Sequence, residues 1–403
     1  MNLFFFLLAN FFWSLGLMMF FLLYNLHLTR LGFSTTLMGQ VFAVGTVGTV
    51  LGSLFAGWAT DRWGPKRVLT AAAATVAASL LWRAVAASLP WLLTSSFLTG
   101  MGISFWIVSV PPFLAAGNLS GSTSARFSST YGLSIFTGAV AGIFGGYLPG
   151  WLGMPQSLAA CGLICVLSVI FLSFIGIPAI AKAPVIQKPS QTVIAAAVRE
   201  QRNFLIPLLA MVLVWDLLLG LFPPFFNVYF TQHHHLKISE LGWLFSSAQF
   251  LQAGAVLSVP LWAGRLGFKR AISLSQFFCC PFFILLALAT GPGLAATAYL
   301  AAASLQALTS PLIDQFMMAN TMAAVRGQIS GVKFFVSQGA VAVAAAFGGR
   351  WIETRGYSGL FAIASTLAIV SGALTLAIKY KNLHHKDTKD TKSDEGQAAS
   401  GQP

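Results

Sequence analysis

Charged residues are scarce in this chain, and acidic residues are the scarcest of them. Only 8% of the 403 residues are charged, with 10 Asp and Glu against 23 Lys and Arg. Soluble domains carry about 25% charged residues, so this composition excludes an ordinary soluble domain. Hydrophobic residues make up 57% of the chain and the mean hydropathy is +0.78, which is the composition of a protein embedded in a membrane.

The chain also lacks the motifs that catalysis and ATP-driven pumping need. It has no Gly-x-x-x-x-Gly-Lys-Ser/Thr loop to hold nucleotide phosphates, and no nucleophile, base and orienting residue stand out as a group. The four cysteines lie inside apolar runs without histidine or carboxylate neighbours, and the consecutive histidines 233–235 point in different directions around a helix. We therefore expect no enzyme activity, no cofactor and no metal site.

What the chain does contain is a series of long apolar runs. Each can cross a hydrocarbon core of about 30 Å as a helix. We count twelve, at residues 3–26, 36–58, 67–88, 91–115, 128–149, 156–179, 204–230, 239–262, 270–289, 293–319, 329–349 and 357–379. We expect the first run to stay in the protein as a span, since no basic segment precedes it and no small-residue cleavage motif follows it.

The basic residues are distributed unevenly over the loops between these runs. Most lie in alternate loops, together with the long middle segment and the tail. The other side carries only Arg30, Arg83, Lys237, Arg350 and Arg355. By the positive-inside rule, both termini and the middle segment lie in the cytoplasm of a cell whose plasma or inner membrane holds the protein. This placement accounts for the net charge of +13 without a nucleic-acid partner.

Two loops in equivalent positions carry the same turn. Residues 57–67 read Gly-Trp-Ala-Thr-Asp-Arg-Trp-Gly-Pro-Lys-Arg, and residues 263–270 read Ala-Gly-Arg-Leu-Gly-Phe-Lys-Arg. Gly39 matches Gly242 at a separation of 203 positions (242 − 39), and the glycine pair at 145–146 has a counterpart at 348–349. These matches occur in the same order along the chain, which indicates two copies of one unit.

These patterns predict an all-α membrane protein with 12 transmembrane helices in two pseudo-symmetric six-helix bundles. The predicted domains are a first bundle at 1–180, a cytoplasmic linker at 181–203, a second bundle at 204–380 and a disordered cytoplasmic tail at 381–403. We expect disorder in the tail because it is charged and poor in apolar residues. An even number of spans per half makes the two copies parallel.

The loop at 57–67 resembles the signature loop of the major facilitator superfamily, and the span number, the linker and the degraded second copy agree with that family. The resemblance implies that the loop is a latch, which holds the two halves in one conformation and yields during transport. The latch residues are Gly57, Asp61, Arg62, Gly64, Lys66 and Arg67. We expect Gly57 to allow a close helix approach and Gly64 to permit the turn. A plain basic anchor is the alternative.

Three charged residues interrupt the apolar runs of the second half. Asp216 lies about twelve residues into the seventh run, near the bilayer midplane, where a carboxylate costs on the order of 2.5–3.5 kcal/mol. We expect it to face a cavity or a partner and to serve in coupling, while an acid that only packs helices together is the alternative. Asp314 and Lys333 lie at similar depth and are expected to pair, in gating, in structure or in substrate contact.

Several uncharged side chains are candidates for lining a cavity. They are Asn10, Trp13, Tyr24 and Asn25 in the first run, Asn227 in the seventh, Gln249 and Gln252 in the eighth, and Gln338 in the eleventh. We weight the first and seventh runs because the resemblance implies that these spans line the pore. Ordinary hydrogen bonding between helices is the alternative for each residue.

Our hypothesis from the sequence is a secondary active transporter that moves a small organic solute by alternating access. Protons are the candidate coupling ion, and export is the favoured direction. The few buried charges favour a neutral, amphipathic or zwitterionic solute, and we expect the protein to act as a monomer in the lipid bilayer. The alternatives are a nutrient uptake permease and a receptor or assembly protein that has the same fold but does not transport.

Overall fold

Helices account for all the regular structure in the described part of the chain. The computed structural model describes residues 2–115, 119, 122–176, 191–322 and 325–379. In chain order the helices are α1 (Asn2–Arg30), α2 (Thr35–Trp63), α3 (Pro65–Val85), α4 (Leu89–Ala115), α5 (Thr123–Leu152), α6 (Met154–Ser173), α7 (Gln191–Leu221), α8 (Phe226–Val228), α9 (Ile238–Leu257), α10 (Val259–Leu266), α11 (Phe268–Leu288), α12 (Pro292–Asn320) and α13 (Arg326–Ala377). The predicted all-α fold is confirmed. The predicted tail at 381–403 and residues 181–190 of the predicted linker lie outside the described residues.

Most of these helices have the length and the apolar character of membrane spans. Within the described ranges nine qualify, or ten if α9 and α10, which are bent by 40° relative to each other, form one span. α12 is not in this set, and α13 joins two helices over 52 residues across a kink at Gly356. The chain is therefore a multi-pass helical membrane protein, and the count of twelve spans stays a prediction.

The predicted seventh run, 204–230, is not one continuous helix. α7 ends at Leu221, and the chain then passes through a 3-10 turn at Pro223–Phe225, the short α8 and a π-helical turn at Tyr229–His233. The two prolines of the 3-10 turn have no N–H to continue the hydrogen bonds of α7, and each disfavours helical geometry in the residue before it. The broken segment packs against α1 and α2 of the first half.

The tight turns of the first half recur in the second half. Six residues in the described ranges have a positive φ, and they form pairs that are 203 positions apart (235 − 32, 267 − 64 and 356 − 153): Gly32 with His235, Gly64 with Gly267, and Gly153 with Gly356. A positive φ suits glycine because it has no Cβ to clash with the backbone. The repeat is thus present in the backbone geometry, and the prediction of two pseudo-symmetric bundles is confirmed.

Two equivalent lysines make the same contact in each half. Lys66 Nζ donates to the carbonyl oxygen of Ile175, just beyond α6, and Lys269 Nζ donates to the carbonyl oxygen of Ile378, just beyond α13, at 2.9 Å. In both halves the two partners are 109 positions apart. A cation at this place bonds carbonyl oxygens that the end of a helix leaves without partners. Each lysine therefore fastens the end of the last helix of its half to the start of an earlier helix, α3 in the first half and α11 in the second.

The first half, α1–α6, and the second half, α7–α13, bond to each other at one end of the molecule. We call the end that carries residues 62–67 the basic end. At the opposite end, Thr35 Oγ1 donates to the carbonyl oxygen of Gly349 at 2.9 Å, and Asn227 Nδ2 donates to that of Leu22 at 2.9 Å. At the basic end, no hydrogen bond between described residues joins the halves.

Two close helix contacts, which we call the glycine seams, hold the opposite end together. In the seam of α5 with α9, an ideal Cβ on Gly242 would lie 2.4 Å from the carbonyl oxygen of Gly142. In the seam of α2 with α13, one on Gly39 would lie 2.3 Å from the carbonyl oxygen of Ala345. These distances are far below van der Waals contact, so only glycine permits such an approach. The opposite end is therefore closed by backbone against backbone.

Candidate functional site

The predicted latch lies at the turn between α2 and α3. Gly64 ends α2 with a φ of 83°, and Pro65 begins α3. Asp61 and Arg62 are exposed, and the guanidinium of Arg62 lies 5.3 Å from the ring centroid of Trp58. Neither of these two charges has an ion-pair partner among the described residues. Gly64 thus forms the tight turn expected of it, and the latch charges are open to solvent in this conformation.

Gly57 does not make the close helix contact that the sequence predicts. No atom lies within 4 Å of an ideal Cβ at this position. This turn of α2 therefore has no close neighbour in the described part of the chain. Arg67 is also exposed, whereas Lys66 is engaged with the end of α6. In the second copy, Gly264 stands where Asp61 stands in the first and is equally open.

A cavity of about 340 Å³ lies between the halves. Its walls come from α1, α2, α3 and α4 in the first half, and from α13 and the broken segment after α7 in the second half. This volume is at the lower end of the range of about 300–1,000 Å³ that small-molecule sites occupy. A hollow of about 430 Å³ beside Arg30 and Trp151, at the rim of the opposite end, contains none of the predicted site residues.

Three of the predicted polar residues line the cavity. Tyr24 and Asn25 enter from α1, and Gln338 enters from α13. Asn25 Nδ2 also donates to the carbonyl oxygen of Pro224 at 2.5 Å, which joins the first half to the broken segment of the second. The sequence thus identified part of the lining on both halves.

Two further candidates from α1 are used inside the first half. Asn10 Nδ2 donates to Ser134 Oγ of α5 at 3.0 Å. Trp13 stacks on Trp106 of α4, with ring centroids 4.2 Å apart and an interplanar angle of 6°. Neither residue lines the cavity, so the interpretation of both as ordinary contacts between helices is favoured.

The candidates from the seventh and eighth runs also lie outside the cavity lining. Asn227 bonds the backbone of α1 across the interface of the halves. Gln249 packs against Gly138 of α5, with its amide carbon 3.1 Å from the ideal Cβ position, and Gln252 is half-buried on α9. These residues connect helices, and they do not surround the space where a solute would fit.

Arg83 is a cavity residue that the sequence analysis missed. It was counted among the charges outside the basic loops, yet it is 4% exposed and lines the cavity from α3. Its guanidinium carbon lies 3.8 Å from the ring centroid of Tyr24 and 5.0 Å from that of Phe20. The available signal was its position inside the predicted span 67–88, where a charged residue faces the interior.

A cluster of charged side chains lies beside the cavity in the second half. Asp216 of α7 is 7% exposed, and its carboxylate lies near the hydroxyl of Ser337 on α13. The charges nearest to it are those of Lys333 and Asp314, which form the expected ion pair with Nζ and Oδ1 2.6 Å apart. Ser337 immediately precedes Gln338, so the cluster and the cavity wall share one turn of α13.

The histidine run forms an aromatic group beyond the π-helical turn. His234 Nε2 lies 2.9 Å from Tyr229 Oη, and the rings of His233 and His234 pack against the ring of Tyr229. Burial lowers the pKa of His234, and the charges of His233 and His235 lower it further. Among the described residues, no three His, Cys, Asp or Glu side chains are grouped so that they could hold a metal ion.

The fold and the cavity together define a class of protein. It is a multi-pass helical membrane protein whose two similar halves enclose a cavity of mixed polar and aromatic character. The family model of the Major Facilitator Superfamily matches residues 6–345. The chain belongs to this superfamily, and it is a membrane transporter and not an enzyme.

Solved transporter structures share this fold over nearly the whole chain. A mutant of the nucleoside transporter NupG has a TM-score of 0.80 at 15% identity, with 93% of this chain and 98% of that chain covered. A D-xylose-proton symporter has a TM-score of 0.73 at 12% identity, with 93% and 97% covered. A mutant of the peptide transporter POT in complex with alafosfalin has a TM-score of 0.75 at 15% identity, with 93% of each chain covered.

These three structures differ in the solute that their names state, so the shared fold does not identify the solute of this chain. No curated protein matches the sequence. The solute class therefore has to be inferred from the residues of the cavity itself.

Proposed function

We propose that the protein is a secondary active transporter that carries a small organic solute by alternating access. The observation that carries this proposal is the cavity between the halves, which side chains of both halves line. Two halves that rock about a shared site open it to one side of the membrane at a time. Among the described residues, the hydrogen bonds near the helix ends that join the halves lie at the end opposite to the basic end, which is the arrangement expected of one state in such a cycle.

In this proposal, the described conformation is the state that opens towards the basic end. The glycine seams close the opposite end, whereas the bonds at the basic end stay within each half. The positive-inside rule puts the basic end, the linker and both termini in the cytoplasm of a cell membrane. On that assignment the conformation is inward-facing.

The latch acts in the other state. Asp61 and Arg62 are exposed in this conformation. When the basic end closes, these charges come to lie against the second half, and a half-buried network of charges there fixes one arrangement of helices. Gly57 then provides the room for close approach that it does not use in this state.

The charged cluster of α7, α12 and α13 couples the cycle to protons. Asp216 is a buried carboxylate inside a span, and such a group is costly unless it serves a function or finds a partner. Binding a proton removes its charge and weakens its attraction to Lys333, whose other partner is Asp314. Because α13 also carries Gln338 of the cavity wall, a change in this cluster reaches the solute site directly.

Transport in proteoliposomes with an imposed pH gradient tests the proposal. Internal pH is recorded with a trapped dye while nucleosides, pentoses, dipeptides and small carboxylates are added one at a time. We expect at least one solute to move with or against protons in the wild type. Asp216→Asn should insert normally and lose the dependence on the gradient, while Glu240→Gln, an exposed acid that caps α9, should behave as the wild type.

The same measurement decides the remaining alternatives. Movement of the solute with protons corresponds to uptake, and movement against them corresponds to export, the direction that the sequence favours. Full gradient dependence in Asp216→Asn would remove that residue from coupling. If no solute moves under any gradient, the receptor interpretation replaces the transporter proposal.

A further inference from the structure

We propose that Arg83 binds a carboxylate group of the transported solute, which is then a small organic monoanion with an apolar or aromatic body. This inference rests on the proposed function, since it takes the cavity between the halves as the transport site. It replaces the broader expectation of a neutral, amphipathic or zwitterionic solute.

Arg83 is a full positive charge that is removed from water without an opposite charge. It is 4% exposed, none of the acidic side chains in the described ranges pairs with it, and its Nε has no hydrogen-bond partner. A guanidinium cannot lose its proton in a protein. Burial of an ion without a partner costs several kcal/mol, so an anion that enters the cavity gains an unusually strong contact.

The two neighbouring aromatic rings orient this guanidinium without neutralising it. Its central carbon lies 3.8 Å from the ring centroid of Tyr24 and 5.0 Å from that of Phe20. Contact with a ring uses the flat face of the guanidinium and leaves the N–H groups at its edge available. Tyr24 Oη, like Arg83 Nε, is buried without a partner. Two side chains of the cavity lining thus have hydrogen-bonding capacity that is not satisfied within the described part of the chain.

Hydroxyl groups of the cavity lining other than that of Tyr24 already donate hydrogen bonds. Three that line the cavity, those of Thr46, Thr49 and Ser96, donate to backbone carbonyl oxygens of α2 at 3.1, 3.2 and 2.7 Å. Arg83 is therefore the strongest free donor that faces the cavity. A carboxylate fits the parallel N–H groups of a guanidinium in both geometry and charge.

The remaining lining selects a single negative charge and an apolar body. Of the residues that line the cavity, Arg83 is the one with a charged side chain, so a multiply charged anion would stay partly unneutralised and a cation would be repelled. The body of the solute would contact the apolar side chains Phe21, Phe42, Ile103, Ile107, Phe226 and Phe334. The volume of about 340 Å³ limits the solute to a small molecule.

Calorimetric titration of the purified full-length protein with benzoate and hexanoate tests this inference, with benzamide, hexanamide and inorganic phosphate for comparison. We expect the two carboxylates to bind and their neutral amides not to bind. Arg83→Gln should weaken carboxylate binding about tenfold or more, and Arg83→Lys should weaken it less, because it keeps the charge but loses the paired donors.

The matched control is Arg355→Gln. Arg355 also lies over an aromatic ring, that of Trp351, with a separation of 4.8 Å, but it is exposed and is not part of the cavity lining. This variant should bind carboxylates as the wild type does. Thermal unfolding of each variant shows whether it is folded. If Arg83→Gln does not fold, the affinity of Arg83→Lys for carboxylates tests the inference in its place.

Several results would overturn the inference: no carboxylate binding to the wild type, equal affinity for acid and amide, tighter binding of phosphate, or unchanged affinity in both Arg83 variants. Binding is measured without a gradient, so it is independent of the transport assay. Carboxylate binding through Arg83 without any flux would contradict the transporter proposal alone. Flux of a neutral solute that Arg83→Gln leaves unchanged would contradict this inference alone.

Discussion

At the scale of single residues, two of the buried charged side chains bear on function, Arg83 in the first half and Asp216 in the second. Among the described residues, Arg83 has aromatic neighbours and no acidic partner, whereas Asp216 lies near the hydroxyl of Ser337 and near the ion pair of Lys333 with Asp314. Arg83 and Asp216 do not form an ion pair with each other. In our proposals each charge serves something that enters the protein: an anionic solute for Arg83, and a proton for Asp216.

The backbone strain at His235, a residue other than glycine with a positive φ, provides a test of the internal repeat. His235 has a φ of 55°, and its counterpart in the first half, Gly32, has a φ of 78°. A side chain in the left-handed region costs about 1–2 kcal/mol, which glycine avoids at an entropic cost of about 0.5–1 kcal/mol. We expect His235→Gly to stabilise the protein by about 0.5–1 kcal/mol, measured by thermal unfolding in detergent.

The neighbouring substitution is the control for this prediction. His233 has no positive φ and lies in the π-helical turn, so His233→Gly should give no gain in stability. A loss of stability in His235→Gly would show that the two turns are not equivalent.

Sequence reasoning at this scale identified the charges that interrupt apolar runs of the second half, but it missed Arg83 in the first half and the direction in which side chains point. Asp216, Asp314 and Lys333 stand out because charges are rare inside spans, and the structure brings them together. Asn10 and Trp13 lie on the same helix as Tyr24, but they face α5 and α4 and not the cavity. Which face of an all-apolar helix is turned inward depends on its neighbours, and hydropathy does not encode it.

At the scale of helices, the glycine seams decide how closely the halves approach. α5 and α9 touch through Gly142 and Gly242, and α2 and α13 touch through Gly39 and residues near Ala345. Within a membrane there is little hydrophobic driving force between helices, so close packing of small residues provides much of the attraction. The seams are thus both the contact that closes one end and the contact that has to separate in the cycle.

Two glycine-to-alanine substitutions in α9 test the glycine seam between α5 and α9. Gly242→Ala would put a methyl group 2.4 Å from a backbone oxygen of α5, so we expect a loss of stability of about 1–3 kcal/mol from overpacking. Gly254→Ala on the same helix meets no atom within 4 Å and should be neutral or slightly stabilising. Thermal unfolding of both variants measures the difference, and equal effects would contradict the seam.

The sequence predicted the existence of the helices better than their continuity. Long apolar runs reveal spans because the bilayer sets their length. The break after Leu221 follows from Pro223 and Pro224, whose effect on the backbone is known in advance, but apolar residues on both sides hide it from a hydropathy pattern. This break matters for function, because it brings the two prolines into the cavity wall.

At the scale of the whole molecule, the duplication of the two halves explains why the protein can close at one end at a time. The two halves repeat the same turns and the same lysine contacts at a constant offset, so the interface between them is also nearly symmetric. A pair of similar bodies around one cavity has two equivalent ways to close, at one end or at the other. The architecture was predictable from the sequence because its repeats lie in order, whereas the state of closure depends on contacts between halves.

The most direct test of alternating access is a pair of distances measured by pulsed electron paramagnetic resonance. Spin labels on cysteines at Ser124 and Gln328, both exposed at the basic end, report one opening. Labels at Leu31 and Arg355, both exposed at the opposite end, report the other. The background lacks the four native cysteines, and each pair is measured at acidic and alkaline pH and in Asp216→Asn, which imitates the protonated state.

We predict that the two distances change in opposite directions: whenever the distance at the basic end shortens, the distance at the opposite end lengthens. The variant Asp216→Asn should shift the populations of the two states in the same direction as acidic pH does. Distances that stay constant under every condition, or that lengthen and shorten together, would contradict a transporter whose halves rock about one shared cavity.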